Sequence, residues 1–254
     1  VLILLLATVS MIGQIPTNLT TDDSDFFPED ITIVDNIAYV SGLGDGTLQL
    51  FNLNLANPTG EIFAAAEEGY TQRWGVKSDG TTLLSILDNA DFGGGESGPA
   101  KLVAYDIATR AKTGEWDLPA GAIGHTVSIV DGKYYVTDFG SPRIMEIDPA
   151  TGTVNGSWFT SAQWDPTISG ICGTIYDNEG GLYISQGNKM WYLPISGGAP
   201  GALQEVTVAG LDAVERAKKN SPVYRVQIIR LLITDLECLA YLSLSVRRPD
   251  VTEY

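Results

Sequence analysis

Residues 127–152 read VSIVDGKYYVTDFGSPRIMEIDPATG, and this stretch decides the fold. An apolar segment beginning at Val127 runs into Asp131-Gly132, a pair suited to a tight turn between two strands. A second apolar segment follows and ends in a small hydroxyl, Tyr135-Val136-Thr137. Arg143-Ile144-Met145-Glu146-Ile147 then alternates polar and apolar side chains, the period of a half-buried strand. Asp148-Pro149-Ala150-Thr151-Gly152 closes the unit: Pro fixes φ, Asp caps the turn, and Gly takes the left-handed position.

Working outward, the same unit returns along the chain. Its hydroxyl-ended marker is Tyr39-Val40-Ser41, then Leu83-Leu84-Ser85, Tyr135-Val136-Thr137 and Tyr183-Ile184-Ser185, with starts 44, 52 and 48 residues apart. A second marker strand trails each one, at Leu48 to Leu53, Leu102 to Ile107, Ile144 to Pro149 and Met190 to Ile195. An inner strand precedes each one, within Ile31 to Asp35, Trp74 to Gly80, Val127 to Gly132 and Gly173 to Gly180. A module of this length with β-type composition predicts radial repetition, an all-β propeller of four-stranded blades. Function would then sit at the mouth of the central channel, where the innermost strands converge.

Composition agrees with a single all-β domain. Of 254 residues 44% are hydrophobic, enough for a core, and 28 glycines and 12 prolines supply turns. The formal net charge of −16 argues against a nucleic-acid footprint, which needs a basic face. Two cysteines, Cys172 and Cys238, make neither a disulfide framework nor a spaced zinc motif.

Several segments stand apart from the repeat. Val1 to Ile12 is an apolar run that reads either as the h-region of a signal peptide or as a buried strand, too short to span a membrane. The sequons Asn18-Leu19-Thr20 and Asn155-Gly156-Ser157 favour a secreted or periplasmic glycoprotein. Asp88 to Ala100 has too much glycine for regular structure and reads as a long loop. Its carboxylates Asp88, Asp91 and Glu96 are donors that calcium accepts, in a spacing unlike an EF-hand. From Ala213 to Tyr254 glycine disappears and the apolar spacing becomes helix-compatible, so this tail does not continue the repeat. It reads as a helical appendage or as a replacement for missing blades.

Between Phe26 and Asp212 the modules resemble the SMP-30/gluconolactonase family of six-bladed propellers, here with an incomplete ring. That resemblance implies a divalent cation, calcium above all, in the central channel. Phe27-Pro28-Glu29-Asp30-Ile31 is similar to the family's opening Glu motif and makes Glu29 a metal ligand. Ala209-Gly210-Leu211-Asp212 is similar to the blade-five loop and makes Asp212 a second ligand. Gly124-His125-Thr126-Val127 and Ser169-Gly170-Ile171-Cys172-Gly173 put His125 and Cys172 where the family has Asn. With Cys172 as third ligand and His125 nearby, the mixed donor set suits zinc better than calcium.

Two functions follow as expectations. In the first, a metal-dependent hydrolase opens a lactone or ester, with His125 as general base. In the second, a non-catalytic propeller binds a small molecule or a protein at its mouth. Arg73 and Trp74, opening blade two, would contact an anionic ligand through a cation beside an indole. Neither a nucleophile elbow nor a phosphate-binding glycine loop is present, which disfavours serine-hydrolase and nucleotide chemistry. The partner expected is a small molecule acting on a monomer, with no nucleic acid and no membrane span.

Overall fold

The structure is a computed structural model and describes residues 18–21, 23–90, 98–165, 167, 170–187 and 189–207. The apolar run 1–12, Asp91, Glu96, the blade-five loop with Asp212, and the tail 213–254 lie outside the described residues.

Four antiparallel sheets follow one another in chain order. The first holds β1 (Pro28–Val34), β2 (Ile37–Gly42), β3 (Leu48–Asn52) and β4 (Glu61–Ala64). The second holds β5 (Gln72–Ser78), β6 (Thr82–Asp88), β7 (Lys101–Asp106) and β8 (Lys112–Asp117). The third holds β9 (Gly124–Val130), β10 (Lys133–Asp138), β11 (Arg143–Asp148) and β12 (Thr153–Thr160). The fourth holds β13 (Gly173–Tyr176), β14 (Gly181–Gln186) and β15 (Lys189–Ser196), with β16 (Ala199–Pro200) and β17 (Gln204–Val206) both pairing β15. The innermost strands β1, β5, β9 and β13 are neighbours in that order. The described residues therefore form a propeller of four blades. The hydroxyl-ended markers are β2, β6, β10 and β14, as the repeat predicts.

Turn chemistry sets the register. β1 and β2 are joined by Asp35 and Asn36 at φ of 48° and 62°, and β9 and β10 by Asp131 and Gly132 at 49° and 77°. Two successive residues of positive φ make the turn whose twist matches antiparallel strands, and Asn, Asp and Gly tolerate it best.

Blades two and three are apolar on both faces because each is packed on both. In β6, Leu83 and Leu87 enter the core shared with blade one, while Leu84 and Ile86 enter the core shared with blade three. In β10, Tyr134 and Val136 face blade two and Tyr135 faces blade four. Strands buried on both sides read as continuous apolar runs, which is why the marker tripeptides stand out in the sequence. The large rings follow the same logic: Trp164 and Trp191 are buried in the core between blades three and four. The far face of blade one differs. Ala38, Val40 and Phe51 there pack only with Phe26 and neighbouring apolar residues, and Ile33 and Ile62 are 53% and 46% exposed. Among the described residues no apolar cluster joins blade four to blade one.

Among the described residues no helix is long and apolar enough to cross a membrane.

Candidate functional site

The innermost strands bulge where they approach the axis. Pairing shifts between Pro28 and Ile31 in β1, and between Arg73 and Val76 in β5. A third shift lies between Val136 and Asp138 of β10, opposite the start of β9. A bulge bends the strand and re-aims the side chains within it.

The marker hydroxyls give a common frame. Asp30 N–H donates to Ser41 Oγ at 3.0 Å, and Thr126 N–H donates to Thr137 Oγ1 at 3.1 Å. Val76 stands opposite Ser85, and Gly173 opposite Ser185. The residues one step earlier are therefore equivalent in the four blades: Glu29, Gly75, His125 and Cys172. At Gly75 a Cβ would come within 2.6 Å of the His125 carbonyl oxygen. Glycine there lets β5 lie against β9.

Glu29 and His125 meet across the hub of the propeller. His125 Nε2 is 3.6 Å from Glu29 Oε1, and the two side chains are 15% and 17% exposed. That distance is too long for a hydrogen bond. The imidazole stacks on Phe139 at 5.3 Å and 23° and meets Trp74 at 5.0 Å, and those two rings lie 6.3 Å from one another, so the three form a cluster. Trp74 Nε1–H donates to Gln72 Oε1 at 3.3 Å. His125 Nδ1 is buried without a hydrogen-bond partner of proper geometry.

Burial sets the electrostatics of the hub. It pushes the Glu29 carboxyl up to about 7, with the negative charge of Asp30 acting the same way. It pushes the His125 imidazole down to about 4, against a smaller opposing pull from the Cys172 backbone. Both shifts disfavour the charged form. At neutral pH the imidazole is uncharged, and the contact is no salt bridge. Burial also raises the Cys172 thiol; the Gly187 backbone opposes this and the charge of Glu29 adds to it.

Cysteine, histidine and glutamate together suggest a thiol nucleophile, but the electrostatics point away from one. A reactive thiolate needs a lowered pKa and a cationic neighbour, whereas here the thiol is raised and the imidazole is held neutral. The same facts bear on a cation. Among the described residues no group of three or more His, Cys, Asp or Glu side chains stands together as metal ligands. Zinc requires a deprotonated thiol and calcium a set of oxygens, so the described residues do not make up either set. Asp212, the further ligand implied by resemblance, lies outside them.

Two sequence expectations need correction. Arg73 does not face a ligand: it is fully buried between blades one and two. Its Nε donates to Gly46 O at 2.9 Å, one terminal nitrogen donates to Ala65 O at 3.2 Å, and the other reaches the Tyr105 hydroxyl at 3.4 Å. Asp88 does not turn into the glycine-rich loop, because its carboxylate accepts N–H groups inside the protein. Trp74 does reach the hub, as a wall for His125.

Gly75 and Phe139 escaped the sequence reading. Glu29 and His125 each lie twelve residues before a marker hydroxyl, but in blade two the same step from Ser85 leads to Arg73, so spacing alone does not find Gly75. No comparable signal marks Phe139, which arrives from the end of β10.

Neither a protein-family model nor a curated protein matches this chain. Solved structures do. An auxiliary nutrient binding protein from Bacteroides ovatus aligns at 14% identity and a TM-score of 0.51, over 71% of this chain and 42% of that one. A protein of unknown function from Bacteroides caccae aligns at 14% identity and 0.48, over 70% and 60%. The computationally designed Ika4 protein aligns at 8% identity and 0.48, over 70% and 97%. The chain spans less than half of the B. ovatus protein, and at these identities the likeness is one of fold alone.

Proposed function

We propose that the protein is a binding propeller whose hub takes a small uncharged molecule, in the manner of an SMP-30/gluconolactonase-like scaffold without that family's full set of cation ligands. One observation carries this reading: Glu29, His125 and Cys172 occupy the same position in three blades, Glu29 and His125 stand 3.6 Å apart, and the imidazole lies against Trp74 and Phe139. With Nδ1 buried, the Nε2 edge of the neutral imidazole serves as donor or acceptor according to its tautomer, and a carboxyl near neutrality serves as either. Such a site suits hydroxyl, carbonyl or amide groups on a ligand with an apolar face. An anion is disfavoured, since the chain carries a net charge of −16 and Arg73 is engaged internally.

Thermal-shift and calorimetric titration of neutral sugars and lactones tests this. Binding should appear in the wild type and be lost in both Glu29→Gln and His125→Phe. A ligand held equally by all three proteins places the site elsewhere and overturns the reading.

Hydrolysis of a lactone or ester is the second reading, and the Glu29 carboxyl at about 7 favours it, because a group poised near the working pH exchanges protons efficiently. Lactone hydrolysis with a rate inflection near pH 7 that vanishes in Glu29→Gln supports it; no turnover above buffer rejects it. A secretory route belongs to the same proposal, supported by the exposed Asn18 and Asn155 of the two sequons.

A further inference from the structure

We propose that Asp88 is a pH-sensitive latch: ionised, it fastens the start of β9 to blade two, and protonated, it lets that start loosen. Asp88 ends β6 and is fully buried. Its Oδ1 accepts Asn89 N–H at 2.6 Å, within its own blade. Its Oδ2 accepts Gly124 N–H at 3.1 Å, from blade three. Each oxygen thus faces an N–H donor. A proton removes the charge that strengthens both bonds and takes up a lone pair on one oxygen, so one bond weakens, and the longer, inter-blade one gives way first.

The surroundings isolate this group. The preceding amide, Ile123 N–H, donates to Asp138 Oδ1 at 3.1 Å, while Arg143 Nε donates to Asp138 Oδ2 at 2.7 Å. Two consecutive amides before His125 are thus gripped by two buried carboxylates, and one of those has a guanidinium partner. On β5 the residue paired with Asp88 is the uncharged Gln72. On β7, Lys101 is engaged with Glu67 and Glu115. On β9, His125 is held neutral. Asp138 on β10 contributes negative charge. Gly124 itself is closely packed: a Cβ there would come within 2.8 Å of Ile86 and Leu118 side-chain carbons.

Burial, the largest influence, lifts Asp88 to about 7, with Asp138 adding to it and the two N–H bonds opposing. The latch therefore changes state in an ordinary buffer range. It does so whatever the hub binds. Because His125 follows Gly124 directly, loosening would reach the hub.

Hydrogen exchange on the full chain, corrected for intrinsic rates, tests the latch. Gly124 amide protection should fall about tenfold between pH 8.5 and 5.5, the loss of one buried hydrogen bond, while Ile123 protection stays constant. In Asp88→Asn, Gly124 should sit at the low value at both pH values. The carbonyl-carbon shift of the Asp88 carboxyl gives a midpoint in the wild type without any substitution. Flat Gly124 protection, parallel loss at Ile123, or a carboxyl midpoint below pH 5.5 overturns the proposal.

Discussion

Asp30 Oδ2, in blade one, accepts the backbone N–H of Val76, in blade two, at 3.0 Å. The Ser85 hydroxyl consequently has no partner. In blades one and three the equivalent N–H groups, of Asp30 and Thr126, donate to Ser41 and Thr137. In blade two an inter-blade bond has replaced the local one.

That replacement predicts an asymmetry among three equivalent side chains. Ser85→Ala removes a buried hydroxyl that bonds to nothing and should leave stability unchanged or raise it slightly. Ser41→Ala and Thr137→Val each strand a partly buried N–H and should cost about 1 kcal/mol. Urea melts of the three variants check this; an equal cost at Ser85 would contradict the geometry.

The hub predicts opposed pH effects. Glu29 has its pKa raised on folding, from 4.5 to about 7, so its contribution to stability is complete below the unfolded value and is lost as pH rises through about 7. His125 has its pKa lowered, from 6.5 to about 4, so its contribution is present above the unfolded value and is lost as pH falls toward 4. Glu29→Gln should therefore exceed the wild type in stability at pH 8, by up to about 3 kcal/mol, and match it near pH 4. His125→Gln should gain on the wild type as pH falls from 6.5 to 4. Melting temperatures from pH 4 to 8 read both differences, and variant curves parallel to the wild type would contradict the shifts.

Arg73 is expected to act through stability. Arg73→Leu leaves the Gly46 and Ala65 carbonyls without this donor inside the protein and should cost about 2–4 kcal/mol. Any hub ligand should bind the folded fraction of this variant with unchanged affinity. Calorimetry below its melting temperature separates the two effects.

Gly75 is expected to be sterically irreplaceable. Gly75→Ala sets a methyl against the His125 carbonyl oxygen and the Thr126 Cα. Both are backbone atoms that cannot rotate away, so a loss of about 1–3 kcal/mol follows from overpacking. The displaced β9 should carry His125 with it and weaken hub binding as well. An unperturbed melting temperature would show that β5 and β9 do not approach so closely.

The sequence by itself determined the blades. Leu83-Leu84-Ser85 and Tyr135-Val136-Thr137 stand out because their strands are covered on both faces, and the spacing of all four markers counts the blades within the described residues. The Asp-Gly and Asp-Asn pairs fixed two hairpins, since few other residues accept positive φ in succession. The family resemblance pointed to Glu29, His125 and Cys172, and the structure brings Glu29 and His125 to 3.6 Å. Only the tertiary structure decided what those side chains can do, because burial depends on residues far apart in the chain. Phe139 and Trp74 close over His125 from two different blades, and that enclosure makes the imidazole neutral and the neighbouring carboxyl hard to ionise. Arg73 illustrates the same limit. Nothing local distinguishes a guanidinium that greets a ligand from one that binds two carbonyls between blades, since the acceptors lie eight and twenty-seven residues away.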